Sequence, residues 1–156
     1  MNLFRRKIDV LLGKAAELGR RDVTMPIDIF ALARKFADLP DRAETFRRTR
    51  SELLPHPNAF VRRVFFTTLR FMGDAGPPSM ELTDVVLVGL GDVSAWVCYD
   101  AAWLAASRKV SSPAILARLR EFAAAYDPEA DVEPGNAEAN LRKCAADALD
   151  ALHKAG

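Results

Sequence analysis

With 156 residues, half of them apolar and 28% charged, the chain is long enough for one continuous core and too short for two large ones; a disordered polyelectrolyte is excluded. The longest uncharged apolar run, residues 85–91, is far too short to cross a bilayer. Two cysteines without paired spacing, Cys98 and Cys144, read as reduced core residues of a cytoplasmic protein. The net charge of +1 conceals an asymmetry: residues 1–78 hold 15 Lys and Arg against 9 Asp and Glu, and residues 79–156 hold 7 against 12. Halves of opposite sign either steer a charged partner or simply solvate the outer helix faces.

Helix signals follow one another along the chain and strand signals are nearly absent. The first residues are basic, but Asp9, Lys14 and Glu17 interrupt any signal-peptide core, so they read as part of the mature fold. Leu3, Phe4, Ile8, Leu11, Leu12, Ala15 and Leu18 recur with a helical period up to Gly19. Thr24 is placed to cap a second helix, with Pro26 in its first turn, Ile27, Ile29, Phe30, Leu32, Ala33, Phe36 and Ala37 behind it, and a stop before Pro40. A third runs over 41–54, with Glu44 as a capping-box partner, and halts at Pro55-His56-Pro57. Asn58 caps a fourth to about residue 72. After the turn-rich 73–78, Ser79 opens a helix to about 90, Ser94 one to about 109, and Ser112-Pro113 one to about 126. The acidic stretch 127–135 is a loop, and an eighth helix occupies 136–153.

One helix is written three times. Val61-Arg62 is followed by Phe65, Thr68 and Leu69; Val97-Cys98 by Ala101, Leu104 and Ala105; Leu141-Arg142 by Ala145, Ala148 and Leu149, at offsets of 36 and 44 residues. Recurrence at that interval marks an array in which each helix pair is too small to bury its apolar face and stacks on a neighbour. The short breaks predict antiparallel neighbours, and the repeated motif always falls on the second helix of a pair.

The stretches HPNAFVRRVFFTTL, LGDVSAWVCYDAAWL and NAEANLRKCAADAL resemble the second helix of HEAT repeats: an Asp- or Asn-containing turn, Val-Arg, a small residue three places on and an Ala/Leu pair. The resemblance covers residues 41–153 well and the first 40 less well. Cys98 departs from the usual Arg and Phe65 from the usual small residue, so packing there should be less standard. The resemblance implies an all-α, right-handed alpha-alpha superhelix of about four antiparallel pairs in a single domain, 1–156. Residues 1–40 would be a degenerate or capping pair, and 41–73, 79–109 and 112–153 the repeat pairs. It also implies second helices on a concave side and protein binding more often than catalysis, which is an analogy because fold does not fix function. Arg62 and Arg142, at the family's Arg position, would pair with an acid in an adjacent turn.

At about 100° per residue, Val97, Cys98, Ala101, Leu104 and Ala105 share one arc, and Trp96, Tyr99, Asp100, Trp103 and Ser107 another. If the second arc faces the concave side, both tryptophans stand there beside a tyrosine and a carboxylate, side chains suited to anchoring interfaces; the alternative is that the indoles pack against neighbouring repeats. The same projection brings Phe60, Arg63, Val64, Thr67 and Phe71 in from one flank and Asn140, Lys143, Cys144, Asp147 and Ala151 from the other. The expected groove is aromatic in the middle, with Arg63 and Arg70 bordering it on one side and Lys143 and Asp147 on the other, the composition of a protein-binding patch.

Signals for catalysis are sparse. His56 and His153 have no Cys, Asp or Glu partner at metal-ligand spacing, no metal or other cofactor is implied, and Gly89-x-Gly91 reads as a helix stop rather than a phosphate loop. The acids of 127–135 lack the ligand order of a calcium site. Trp96 and Asp100, one turn apart, resemble the site of HEAT-like DNA alkylation-repair glycosylases, but Arg62, Arg63 and Arg70 are a modest cluster for neutralising phosphates. A further alternative is a lyase-like HEAT accessory protein that presents a chromophore or peptide to another subunit. The sequence thus points to a non-catalytic adaptor, scaffold or immunity-like protein that binds a protein partner, with nucleic acid the weaker expectation and no membrane. Its oligomeric state is open.

Overall fold

The computed structural model describes residues 2–155. It is all-helical, with eight α-helices, one 3-10 turn and no strand among the described residues. The chain divides into two compact units, Met1–Pro77 and Pro78–Gly156. The first holds α1 (Leu3–Leu18), α2 (Pro26–Ala37), α3 (Arg42–Glu52), α4 (Ala59–Met72) and the 3-10 turn Gly73–Ala75; the second holds α5 (Ser79–Leu90), α6 (Ala95–Arg108), α7 (Pro113–Ala123) and α8 (Ala137–Ala155).

In the first unit α2 packs most extensively along α4, α1 lies against both, and α3 joins α1, α2 and α4. Ile8, Ile29, Phe36, Val61, Phe65, Phe66 and Leu69 are its fully buried large side chains, each contributing roughly 1.5–3 kcal/mol of hydrophobic stabilisation. Phe65 fills the space beside α3: its ring stacks on Phe46 at 6.2 Å and meets Phe66 edge-on at 5.1 Å. Asn58 caps α4 by accepting from the Phe60 and Val61 amides at 2.8 and 3.4 Å. Its amide nitrogen also donates to Gly19 O at 3.2 Å. Gly19 is fixed by that approach: a Cβ there would lie 2.9 Å from Val61 Cγ2 and 3.1 Å from His56 Cε1.

Several local expectations change. The hydroxyl of Thr24 donates to Leu18 O at 3.2 Å, and Met25 is the N-cap of α2 with its amide donating to the Asp28 carboxylate. Asp41 caps α3 by accepting from the Glu44 amide at 3.0 Å, while the Glu44 carboxylate turns to Arg47 Nε at 2.7 Å; that hydrogen bond holds the Glu44 pKa below its usual value. Arg62 donates to the carbonyls of His56 and Pro57, both at 2.9 Å, which secures the proline-bracketed turn. Arg142 is exposed, with no ion pair among the described residues. Leu3 and Ile27, read as members of the apolar stripes, are 66% and 72% exposed because each lies in the first turn of its helix, ahead of the buried run.

In the second unit α6 packs most extensively on α8, α7 on α8, α5 on α6, and α5 on α7. Each unit is therefore two helix pairs, first helix touching first and second touching second. Leu82, Val85, Val86, Leu90, Leu104, Ile115 and Leu119 form the large part of the core. Ala101, Ala102 and Ala105 on α6 and Ala145 and Ala148 on α8 are buried small residues that let the two helices approach closely.

Candidate functional site

Between α6, α8 and the acidic loop lies an open groove of about 790 Å³. From α6 it takes Tyr99, Trp103, Ala106 and Ser107; from α8, Asn140, Lys143, Cys144, Asp147, Ala148 and Ala151; from the loop, Val132 and Pro134. Local sequence chemistry builds each wall. Lys109 ends α6 in the left-handed conformation, φ 54° and ψ 41°, while Val110 N–H reaches back to Ala105 O at 2.9 Å. Asn136 caps α8 by accepting from the Ala139 amide at 3.0 Å. One turn on, Asn140 Nδ2 donates to the carbonyls of Asn136 at 2.7 Å and Glu133 at 3.0 Å, and so fastens the acidic loop along α8 with Val132 and Pro134 against the groove.

The groove has an apolar floor and a polar lip. Tyr99 and Trp103 are half-buried and both line the groove. Lys143 and Asp147 are exposed at the lip and joined by a 3.1 Å hydrogen bond, which raises the Lys143 pKa above its ordinary value and keeps the ammonium charged. Cys144 is half-buried and donates to Tyr99 O at 3.7 Å.

Of the residues singled out in the sequence, Tyr99, Trp103, Lys143 and Asp147 come together here. Trp96 is half-buried and does not line the groove; its indole meets the Tyr99 ring edge-on at 5.4 Å. Asp100 is completely buried. On the helix it lies only about 40° from Leu104, on the flank of the core arc, so it offers no surface to a ligand. Arg63, Thr67 and Arg70 belong to α4 of the first unit and are not part of this groove. Arg63 is 7% exposed and Thr67 fully buried, its hydroxyl with no hydrogen-bond partner; Arg70 is half-buried. The loop wall of Val132 and Pro134 was not foreseeable from periodicity. Its signal was the side-chain amide of Asn140, one turn into the helix that follows the loop.

Val97, Cys98, Ala101, Leu104 and Ala105 form the buried arc expected of α6. Cys98 donates to Asp92 O at 3.3 Å, and burial pushes its thiol up to about 11. No group of three His, Cys, Asp or Glu among the described residues is placed to hold a metal ion. No helix among the described residues is long and apolar enough to cross a membrane. The groove can therefore bury apolar side chains against two aromatic rings and exchange hydrogen bonds with Ser107, Asn140, Lys143 and Asp147 at its edge. Comparison of the chain with protein-family models, with curated proteins and with solved structures gave no match.

Proposed function

We propose that the protein is a non-catalytic, cytoplasmic interaction module, a HEAT-like alpha-alpha superhelix that holds a segment of a protein partner in the α6/α8 groove. The observation that carries this reading is the joining of Tyr99 and Trp103 with small side chains of α8 in one open concavity whose lip is polar. Rigid aromatic rings bury much area at little entropic cost, and a polar lip excludes water from that contact while keeping it soluble when empty. The thrice-repeated helix and the stacking of second helices within each unit support the repeat reading. The burial of Asp100 weighs against a DNA-repair role, because a carboxylate that stabilises a cationic base has to meet it.

The groove itself supplies a reporter, since Cys144 lines it. Peptides selected by display on the protein are expected to carry aromatic or aliphatic anchors, to protect Cys144 from alkylation, and to lose at least tenfold in affinity against Ala106→Trp, which fills the groove from a helical position. Peptides that bind Ala106→Trp as well as the parent, with Cys144 unprotected, would place the binding surface elsewhere.

A further inference from the structure

The first unit carries a separate concavity of about 590 Å³ between α1 and the C-terminal end of α2. Leu3, Arg6, Lys7 and Val10 form one wall. Their spacing of three, four and seven residues puts them on one face of α1, apart from the stripe of Ile8, Leu11, Leu12, Ala15 and Leu18 that the core buries. Lys35 and Asp38 stand on the other wall. Leu3 and Val10 are 66% and 53% exposed, so the face ends in two aliphatic side chains two turns apart with two cations between them.

The cations of this hollow, like Arg5, Lys14, Arg20 and Arg42 of the same unit, form no ion pair among the described residues, whereas others of the unit are engaged. Arg47 is paired with Glu44, Arg48 with Asp9 and Glu52, Arg21 with Asp28, and the Arg34 guanidinium lies 4.0 Å over the Phe71 ring. Arg6, Lys7 and Lys35 have neither an ion pair nor a hydrogen bond from their side chains among the described residues. Three cations against the single carboxylate of Asp38 leave the hollow positive, in the half of the chain where Lys and Arg outnumber Asp and Glu by 15 to 9.

We propose that this hollow receives an acidic amphipathic helix of a partner protein, its two aliphatic side chains meeting Leu3 and Val10 and its carboxylates meeting Arg6, Lys7 and Lys35. Charge complementarity selects the acidic partner, and the concave apolar floor selects a side-chain-bearing helix laid in a groove. A lipid surface fits less well, because membrane-lying helices present a broad, protruding apolar face, whereas α1 turns its main stripe inward and leaves only two separated aliphatic groups on one wall of a depression. The site is independent of the α6/α8 groove and stands or falls without it.

The test uses the full chain and a fluorescein-labelled helical peptide with two leucines two turns apart among glutamates, read by anisotropy. Binding is expected, weakening as salt shortens the screening length, and falling at least tenfold for Val10→Asp and for the Arg6→Glu, Lys7→Glu pair. The double variant should stay folded, because acids near the N-terminus of α1 suit the helix dipole better than the cations they replace; Ala106→Trp should bind the peptide like the parent. No binding at low salt, or equal binding by the charge-reversed variant, overturns the proposal. Preferential binding to vesicles of phosphatidylserine and phosphatidylcholine would assign the face to a membrane instead. Self-association in sedimentation that the same variants abolish would assign it to a second copy of the chain.

Discussion

Cys98 and Cys144 lie on the same pair of contacting helices and differ in one physical respect, their access to water. Cys98 is buried, and desolvation raises its thiol from 9.0 to about 11, while Cys144 opens on the groove. Thiolate is the reactive form, so the native protein is expected to give one fast equivalent with a disulfide reagent near pH 8, lost in Cys144→Ser, and a second only on unfolding. Two fast equivalents would contradict the burial of Cys98. The sign of the stability effect follows from the raised pKa. Below pH 9 the thiol is neutral in both states and its packing contribution is complete; as pH rises from 9 toward about 11 the unfolded chain ionises first and that contribution is lost. Replacing Cys98 with Ala should remove this part of the alkaline decline in denaturant midpoints. Cys98 and Asp100, both buried on α6, show what a sequence can reveal about single residues. The burial of Cys98 follows from its place on the core arc of α6, whereas that of Asp100 does not, because periodicity places a side chain on a face and cannot say how wide the buried face is. On α6 the buried arc extends past Leu104 to take in a carboxylate that a hydropathy pattern assigns to solvent.

Helix starts were legible at several side-chain caps, though not at Asn2, which caps α1 by accepting from the Phe4 amide. Asn58, Asp41, Ser112 and Asn136 each accept from an amide of the following turn, and the helices begin where those residues predict. They were less legible where the backbone does the work, as at Met25, or where tertiary contact competes, as when Thr24 turns its hydroxyl back to Leu18 O. The two central second helices end differently. α4 stops at Gly73 with φ 53°, a value glycine takes freely, but α6 stops at Lys109 with φ 54°, where a side chain is strained. Lys109→Gly is therefore expected to raise stability by up to about 1 kcal/mol, after the larger unfolded-state entropy of glycine is subtracted. Lys109→Ala should give no gain. A lower denaturation midpoint for Lys109→Gly would mean that the lysine side chain makes a contact worth more than the strain. Because Lys109 follows the helix that carries Tyr99 and Trp103, the glycine variant also asks whether that strain serves the groove: peptide affinity is expected to be unchanged.

At the scale of the whole chain, the repeat reading and the division into Met1–Pro77 and Pro78–Gly156 lead to different stabilities. Each unit has a set of fully buried large side chains, Phe36, Phe65 and Leu69 in one and Leu82, Leu104 and Ile115 in the other. Each is also near the size at which a single core is marginal. In a stacked array, stability is the sum of intrinsic unit terms and nearest-neighbour terms, so removing a neighbour lowers the stability of what remains. In two independent domains it does not. The proposed superhelix thus requires that fragments 1–77 and 78–156, expressed separately, be helical by circular dichroism and melt below the full chain, which should show one cooperative transition. Two transitions in the full chain that match those of the fragments would replace the single superhelical domain by two independent ones. The fragments carry opposite charge, 15 basic against 9 acidic residues in one and 7 against 12 in the other, and mixing them supplies the second half of the test. If the neighbour term is real, the mixed fragments should reassociate and recover part of the lost melting temperature at low salt. Recovery that persists at high salt would assign the term to apolar packing, since attraction between exposed charges is screened within about 3 Å at 1 M ionic strength.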